Sequence, residues 1–457
     1  MSDVLHRDEV LTGWGGTSPS RATVWEPHEQ AQVGELVTEA RPESRGVIAR
    51  GLGRSYGDAA QNAGGAVVSS AALNRMFELD PNVGTLRCEP GVSVDALLRF
   101  LVPRGWFPTV IPGTSFVTVG GGVGADIHGK FRHGSFCDYV VSAVLDTPSR
   151  GAITIGADLA PDEFWATAGG MGLTGIVREA TLALHPIETS RMVVDTQRCS
   201  DVDACMAAML DESHGERYSV AWIDCLASGG SLGRSILERG MHATVSDLGD
   251  LDARSLARPL DYATPPTVAA PPWAPSGLLN VWTLRAFNEL WFRKSPRQAT
   301  RTVTSIPHFF HPLDMVRGWN RIYGKHGFVQ YQFVVPYGRE DVVRRVLERL
   351  SMERCGSFLA VLKRFESENP GYLSFPMPGW TLALDLPAAR RDLASLFDEF
   401  DQWVCEAAGR VYLAKDARVA PELLASMYPQ LDRWREIRET LDPNRVMQSD
   451  LARRLKL

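Results

Sequence analysis

The chain has 457 residues, of which 44% are hydrophobic and 22% are charged, and its formal net charge is −6. This composition is typical of a globular protein with a large apolar core, and the length predicts two domains. The acidic balance, without a basic tract or a stripe of aromatic and basic residues, excludes a nucleic-acid-binding protein.

The first half of the chain alternates short β-branched segments with glycine-rich turns. The segment GTLRCEP (84–90) predicts a strand followed by a turn. The segment VSVDALLRFLVPRG (92–105) predicts a helix that begins after Ser93, because its apolar residues recur at helical spacing. The segment FPTVIPG (107–113) predicts the next strand and turn.

Two glycine-rich loops flank this strand–helix–strand unit. The first, GLGRSYGD (51–58), follows a short apolar run, and its spacing G-x-G-x-x-x-G departs from the dinucleotide fingerprint G-x-G-x-x-G. The second, TVGGGVGADIHGK (118–130), has five glycines between Gly120 and Gly129. We expect this run to form neither a stable helix interior nor a good strand. It is either a tight structural crossing or a ligand cradle.

A diphosphate needs several converging N–H donors, and peptide amides supply them where side chains do not block the approach. A single glycine cluster is often purely structural. Two such loops about seventy residues apart, with a strand–helix–strand unit between them, favour a phosphate-containing cofactor.

From about residue 191 glycine becomes rarer and longer mixed elements follow. DVVRRVLERL (341–350) and ASLFDEFDQWVCEAAG (394–409) predict amphipathic helices, whereas FVQYQFVVP (328–336) and WTLALDLP (380–387) predict strands. The proline-rich segment 263–277 predicts a long loop of the kind that often serves as a lid. Taken by itself, the polar and basic tail DPNRVMQSDLARRLKL predicts a surface segment.

Two features bear on localisation. The N-terminal residues MSDVLHRDEV have no apolar segment after a basic one, and no apolar run approaches the length of a membrane span. The seven scattered cysteines form no C-x-x-C pair, so we expect reduced thiols, without a disulfide framework or a zinc site. These features favour a cytoplasmic protein.

Further motifs occur in order along the chain: GLGRSYGD, TVGG, DIHGK, FWATAGGMGLTGI, ELWFRKS, FFHPLDM, GFVQYQFVVP, LSFPMPGW, YLAKDAR and SDLARRL. With them the chain resembles the vanillyl-alcohol-oxidase (p-cresol methylhydroxylase) type of FAD-binding family. It is most similar to the branch that oxidises a decaprenylphosphoryl ribose as the flavin component of an epimerase. The resemblance implies an α+β fold with a two-part FAD-binding domain, residues 1–190 and 409–457. A substrate domain built on an antiparallel sheet would be inserted at 191–408.

The resemblance also implies which residues hold FAD. The predicted cofactor-binding residues are Ala49, Arg50, Gly51, Leu52, Gly53, Arg54, Ser55, Tyr56, Gly57, Asp58, Gly113, Thr118, Val119, Gly120, Gly121, His128, Gly129, Lys130, Ile176 and Tyr412. Relatives that bind FAD covalently through a histidine place it where this chain has Arg54. Arginine cannot form that bond, so we expect a non-covalent FAD.

Oxidation of a secondary alcohol requires a positioned carbinol carbon and a group that accepts or polarises the hydroxyl proton. The resemblance assigns catalytic roles to Lys415, Tyr56, Gln332 and His128, and substrate-binding roles to Gln330, Lys130, Lys363, Trp222, Phe310, Thr381 and Ala383. Independently, Gln330 and Gln332 alternate with Tyr331 in a predicted strand, so both point to one face and suit paired hydrogen bonds to sugar hydroxyls.

Three departures from the family pattern fall in the predicted pocket. Thr381-Leu382-Ala383 stands where well-known mycobacterial members carry asparagine, a hydrophobic residue and cysteine. Phe310 stands where a tyrosine is expected, and the loop GKFRHGSF is two residues shorter. Inhibitors that trap the cysteine should therefore not bond to this protein, and the identity of the sugar is left open.

The resulting hypothesis is an FAD-dependent oxidoreductase that converts a sugar hydroxyl to a ketone, with a separate NAD(P)H-dependent short-chain reductase completing an epimerisation. Two alternatives remain open: an oxidase of a soluble sugar, polyol, lactone or nucleoside, and a glycine-rich binding protein without redox activity. A polyprenyl-linked substrate would bring peripheral contact with the inner membrane face, for which Trp273 of the proline-rich loop is a candidate.

Overall fold

The computed structural model describes residues 4–211, 215, 217–249, 256–264, 266–270 and 280–457. Part of the predicted proline-rich loop, including Trp273, lies outside these residues. The described part of that loop contains strand β14, Val268–Ala269, which pairs in parallel with β16, Val316–Arg317. No helix among the described residues is long and apolar enough to span a membrane.

Two sheets occupy the N-terminal part of the chain. The first has the strand order β1-β2-β4-β3, with strands Leu5–Leu11, Ser20–Glu26, Val47–Arg50 (β3) and Ala66–Ser69 (β4). The second has the order β5-β6-β10-β8-β9, with β7 also paired to β10. Its strands are Met76–Asp80, Thr85–Cys88, Trp106–Pro108, Val140–Thr147, Gly151–Ile155 and Ile176–Pro186 (β10).

The third sheet is entirely antiparallel, with the order β15-β11-β13-β12-β18-β19-β17-β20. Its strands in chain order are Arg191–Cys199 (β11), Tyr218–Ile223 (β12), Ser235–His242 (β13), Thr300–Ser305 (β15), Phe328–Pro336 (β17), Ala360–Phe365 (β18), Gly379–Pro387 (β19) and Arg410–Val411 (β20). This sheet and the helices around it confirm the predicted α+β class. The domain limits at residues 190 and 408 stay a prediction.

The α-helices pack on these sheets. They are Gln30–Glu39 (α1), Val94–Leu101 (α2), Val119–Gly124 (α3), Pro161–Thr167 (α4), Val202–Leu210 (α5), Val281–Lys294 (α6), Ile306–Phe310 (α7), Glu340–Met352 (α8), Leu393–Glu406 (α9), Pro421–Met427 (α10), Leu431–Leu441 (α11) and Asp450–Leu455 (α12). The helix predicted after Ser93 is α2, and the Ser93 hydroxyl caps it by accepting from the Ala96 N–H at 3.1 Å.

The alternation predicted for residues 328–336 is present in β17. Gln330 and Gln332 face the cavity described below, and the Tyr331 ring stacks on Phe397 of α9 with centroids 4.8 Å apart. The Tyr331 hydroxyl donates to the buried carboxylate of Asp401 at 2.8 Å. One face of β17 is therefore anchored in the core, which holds the glutamines on the other face in place.

The glycine run after Thr118 forms helix α3, so the expectation that it forms no helix was wrong. The Thr118 hydroxyl caps the helix by accepting from the Gly121 N–H at 3.2 Å. A Cβ atom on Gly120 would lie 2.8 Å from the Pro90 side chain, and one on Gly122 would lie 3.0 Å from the Phe136 ring. Close packing against these neighbours fixes a helix that glycine disfavours by itself, because intrinsic propensity is a weak term beside tertiary contacts.

The C-terminal tail is not the surface segment that its polarity predicts. The Val47 N–H of β3 donates to the Val446 carbonyl, and the Gln448 N–H donates to the Val47 carbonyl, both at 2.9 Å. Leu451 and Leu455 of α12 are buried in the core. The tail thus packs against β3, the strand that precedes the first glycine loop.

Candidate active site

A cavity of about 1240 Å³ lies between the two glycine loops and the face of the eight-stranded sheet. It brings together predicted residues that are far apart in sequence. The predicted cofactor-binding residues that line it are Ala49, Gly51, Leu52, Gly53, Arg54, Ser55, Tyr56, Gly113, Thr118, Gly120, Gly121, His128, Gly129, Lys130, Ile176 and Tyr412.

Four predicted cofactor-binding residues lie outside this lining: Arg50, Gly57, Asp58 and Val119. The Arg50 guanidinium is turned away from the cavity and donates to the carbonyls of Thr12 at 2.8 Å and Ala60 at 2.9 Å. The Val119 side chain is buried in the core at the start of α3. These two residues hold the loops in place from behind.

The end of the first loop is fastened to the C-terminal part of the chain. The Asp58 carboxylate accepts two hydrogen bonds from the Arg454 guanidinium, at 2.8 and 3.0 Å. A Cβ atom on Gly57 would lie 1.9 Å from the Asp416 carbonyl oxygen. Asp58 and Gly57 therefore position the loop and do not face the cavity.

The cavity wall formed by the two loops is built from closely packed backbone. A Cβ atom on Gly51 would lie 2.3 Å from the Thr118 hydroxyl oxygen, so only glycine fits where the loops touch. Gly53 has φ of +63°, in the left-handed region that favours glycine. Exposed peptide groups beside the start of a helix suit a diphosphate. This wall therefore fits the FAD that the sequence predicts.

Arg54 lies on this wall between two aromatic rings. Its Cζ atom is 3.8 Å from the Trp14 ring centroid and 5.2 Å from that of Phe116. Burial lowers the pKa of the Arg54 guanidinium, whereas the nearby Asp314 carboxylate raises it. The buried Nε–H has no acceptor among the described residues. Arg54 thus presents a charged, incompletely bonded donor to the cavity.

Lys415 and Tyr56 form the centre of the candidate site. The Lys415 Nζ atom lies 3.6 Å from the centroid of the Tyr56 ring. Burial lowers the pKa of Lys415 to about 7, against the opposing influence of the Asp385 carboxylate, and Lys363 lowers it further. Burial also raises the pKa of the Tyr56 phenol well above its usual value, so it stays protonated. A lysine that titrates near neutrality can either accept a proton or supply a charge.

Asp385 is a buried carboxylate behind this centre, and the sequence analysis did not single it out. Its Oδ1 atom accepts a short hydrogen bond from the Gln330 amide, and its Oδ2 atom has no partner among the described residues. Burial raises the pKa of Asp385 to about 7, while the Gln330 hydrogen bond and the charge of Lys415 lower it. In the sequence, Asp385 could have been noticed as an acidic residue within the otherwise apolar strand WTLALDLP. In the structure it lies opposite Gln330 in the strand ladder.

His128 packs below the glutamines as a neutral imidazole. The Gln332 amide nitrogen lies 3.0 Å from its Nε2 atom, and Lys363 Nζ lies 3.4 Å from its Nδ1 atom. Burial and then the charges of Lys363 and Lys415 lower the pKa of His128 well below its usual value. His128 therefore orients its neighbours and carries no charge near neutral pH.

The predicted substrate-binding residues divide into those that line the cavity and one that does not. Those that line it are Gln330, Lys130, Lys363, Trp222, Phe310 and Ala383. Thr381 is fully buried behind the wall, and its hydroxyl accepts a hydrogen bond from the Gln332 amide at 3.2 Å. Thr381 therefore acts on the pocket through Gln332.

Sequence reasoning also missed Asp314 and Trp14, which both line the cavity. Asp314 accepts from the Thr114 hydroxyl at 2.7 Å and from the Ser115 N–H at 2.6 Å, which ties the FFHPLDM motif to the segment that precedes α3. Trp14 had no motif of its own. Only the fold places it over Arg54.

Comparisons with known proteins identify the family of the chain. A family model described as an FAD binding domain matches residues 22–154, and one described as D-arabinono-1,4-lactone oxidase matches residues 386–455. The chain is 41% identical over 453 residues to decaprenylphosphoryl-β-D-ribose oxidase of Mycolicibacterium smegmatis, which covers 98% of this chain and 97% of that protein. It is 21% identical to L-gulono-1,4-lactone dehydrogenase of Mycobacterium tuberculosis, with 98% and 99% coverage.

The fold, the glycine cradle and these matches define an FAD-dependent flavoprotein oxidoreductase. The predicted enzyme class and the predicted cofactor are therefore confirmed. The chain belongs to the family of the decaprenylphosphoryl-β-D-ribose oxidases, within the vanillyl-alcohol-oxidase type of FAD-binding proteins.

Proposed function

We propose that the protein oxidises a secondary hydroxyl of a pentose-type sugar to a ketone, and that this sugar is carried on a polyprenyl phosphate. The 2-hydroxyl of a decaprenylphosphoryl ribose is the model substrate, as the name of the M. smegmatis relative indicates for that protein. The observation that carries the proposal is that one cavity joins a glycine cradle to Lys415, Tyr56 and the paired glutamines Gln330 and Gln332.

The charge of the cavity supports a substrate that carries a phosphoryl group. Besides Lys415, five basic side chains line it: Arg54, Lys130, Lys294, Arg317 and Lys363. Only two acidic side chains, Glu238 and Asp314, belong to the same lining. A cleft lined mainly by one sign of charge attracts ligands of the other sign.

Each residue at the centre has a proposed task in this oxidation. Bound FAD supplies the acceptor for the hydride that leaves the carbinol carbon. The neutral amine of Lys415 takes the hydroxyl proton at Nζ, which its pKa of about 7 allows near neutral pH. Gln330 and Gln332 hold sugar hydroxyls. The Tyr56 ring, 3.6 Å from Lys415 Nζ, stabilises the ammonium that forms when Lys415 takes the proton.

Anaerobic reduction of the bound flavin across a panel of substrates tests this function. Polyprenyl-phosphoryl ribose should bleach the flavin absorbance in a single turnover, and nucleosides, free polyols and lactones should not. Failure of every pentosyl phosphate to reduce the flavin would refute the proposal. Rapid peroxide formation with small polyols or lactones would support the alternative of a soluble-substrate oxidase, which the lactone-oxidase match over residues 386–455 favours.

We also propose that FAD is bound without a covalent bond, because Arg54 stands at the position of the histidine that forms that bond in other members. Unfolding in guanidinium followed by ultrafiltration should release all the flavin into the filtrate. Flavin that stays with the polypeptide would contradict this.

The remaining proposals concern partners. A separate NAD(P)H-dependent short-chain reductase should consume the ketone product, so that product accumulates in its absence and an epimer forms in its presence. With a polyprenyl substrate, we further propose peripheral contact with the inner membrane face.

A further inference from the structure

Helix α6, Val281–Lys294, exposes two large apolar side chains among charged ones on the side that faces solvent. Leu284 and Asn288 are buried on its inner side. On the outer side Trp282 is 75% exposed and Leu290 is 70% exposed, and their spacing of eight residues places them on one broad face of the helix. A surface helix of a globular protein normally carries polar residues at such outward positions.

The helix is fixed to the body of the protein. The Asn288 side-chain amide donates to the Asp224 carboxylate at 2.6 Å, and both groups are buried. At its N-terminus the Asn280 side chain caps the helix by accepting from the N–H groups of Trp282 at 2.9 Å and Thr283 at 3.1 Å. Trp282 and Leu290 are therefore held outward by an anchored element.

The same helix forms part of the cavity rim. Phe287, Trp291 and Lys294 line the cavity that contains the candidate active site. The exposed side chains Trp282 and Leu290 and part of the cavity wall therefore belong to one helix. A partner that binds Trp282 and Leu290 must lie next to the entrance of the cavity.

The charge of the residues around Trp282 and Leu290 indicates what kind of surface binds them. Residues 281–297 carry four basic side chains and one acidic one, whereas the whole chain has a net charge of −6. The basic residues are Arg285, Arg293, Lys294 and Arg297, and the acidic one is Glu289. The Arg293 side chain is 76% exposed, although it pairs with Glu289. Tryptophan and leucine flanked by arginine and lysine are typical of a helix that lies in the interface of an anionic bilayer.

We infer that the outer side of α6, namely Trp282 and Leu290 with Arg285 and Arg293, docks together with Arg297, which follows the helix, on a bilayer that contains anionic phospholipids. Docking there turns the cavity entrance toward the membrane, so that a lipid-linked sugar reaches Lys415 while its polyprenyl chain stays in the bilayer. The role in substrate delivery rests on the proposed function. Docking itself rests on α6 alone.

Co-sedimentation of the FAD-loaded protein with vesicles tests the docking without any substrate. The protein should sediment with vesicles of phosphatidylcholine and phosphatidylglycerol, less with phosphatidylcholine alone, and less at high salt. The variant Trp282→Ser/Leu290→Ser should bind the anionic vesicles at least roughly tenfold more weakly, because two large apolar side chains no longer enter the interface. Neither Trp282 nor Leu290 lines the cavity. The double variant should therefore hold as much flavin as the unmodified protein, and a short, soluble pentosyl phosphate should reduce that flavin at the same rate.

The matched control is Val83→Ser/Leu159→Ser, which removes two exposed apolar side chains from surface turns of the second sheet. It should bind vesicles like the unmodified protein.

The inference is overturned if the protein does not sediment with anionic vesicles, or if both double variants lose binding equally. It is also overturned if Trp282→Ser/Leu290→Ser only converts a dimer to a monomer, because a second copy of the chain would then cover α6. Failure of the proposed function would appear instead as an unreduced flavin and would leave vesicle binding intact.

Discussion

The two walls of the cavity are built in different ways. The glycine-loop wall presents backbone and tolerates almost no added atom, as the contact between Gly51 and Thr118 shows. The sheet wall, formed by β17 and β19, presents side chains that titrate or donate hydrogen bonds. A wall of backbone fixes one cofactor shape, whereas a wall of side chains can change its substrate by substitution. The departures at Ala383 and Phe310 accordingly change side chains that line the cavity and lie outside the segments 51–58 and 118–130.

The largest effect is expected from adding one methyl group to the backbone wall. Gly51→Ala places a Cβ atom 2.3 Å from the Thr118 hydroxyl oxygen and should separate the two loops. We expect most of the bound FAD to be lost and the free energy of unfolding to fall by about 1–3 kcal/mol. The ratio of flavin to protein absorbance and thermal unfolding measure these changes. Gly230→Ala, whose Cβ atom meets nothing within 4 Å, is the control, and full FAD content in Gly51→Ala would contradict the close-contact argument.

A change to a titrating side chain outside the backbone wall should instead preserve the cofactor and slow the reaction. Lys415→Gln removes the group proposed to take the hydroxyl proton, so the rate of anaerobic flavin reduction should fall by a factor of roughly 10²–10⁴. FAD content should stay unchanged, as measured by absorbance. Lys456→Gln, at an exposed lysine near the C-terminus, should react normally. An unchanged reduction rate in Lys415→Gln would remove this residue from the mechanism.

The charge of Asp385 acts on the pKa of Lys415, so replacing Asp385 should have an intermediate effect on activity that depends on pH. If neutral Lys415 is the active form, kcat/KM should rise with pH around its pKa of about 7. The Asp385 carboxylate raises the pKa of Lys415, so Asp385→Asn should lower that pKa and move the rising limb to lower pH. Asn can still accept the Gln330 hydrogen bond, so a uniform loss at every pH would indicate only a structural role. The pH profile of kcat/KM distinguishes the two outcomes.

The smallest effect on activity is expected at Ala383, which lies opposite Gln332 in the strand ladder and lines the cavity. Ala383→Cys adds one sulfur atom and should change the reduction rate only a few-fold. Reagents that trap a pocket cysteine should then add one covalent mass to this variant and none to the unmodified protein. Mass spectrometry of both proteins in parallel checks this, and labelling of the unmodified chain at a pocket residue would contradict it.

Local patterns were sufficient for elements whose chemistry is contained in a short segment. The period of apolar residues predicted helix α2 and its Ser93 cap, and alternation predicted that Gln330 and Gln332 share one face. The family motifs predicted the residues that meet in the cavity. The glycine run of α3 was misjudged because its helix depends on Pro90 and Phe136, which no local rule includes. The C-terminal tail was misjudged in isolation because its partner, β3, lies about 400 residues earlier.

The sequence by itself indicated a phosphate-containing cofactor, since glycines mark where a backbone can approach a diphosphate, and the family motifs specified FAD. It also determined the alternation that brings both glutamines to one face. Only the tertiary structure revealed Asp385 as a buried partner of Lys415, because a carboxylate acquires an unusual pKa from its surroundings and not from its neighbours in sequence. The same holds for helix α6. Its composition is that of an ordinary amphipathic segment, and only its anchoring through Asn288 decides that Trp282 and Leu290 face outward.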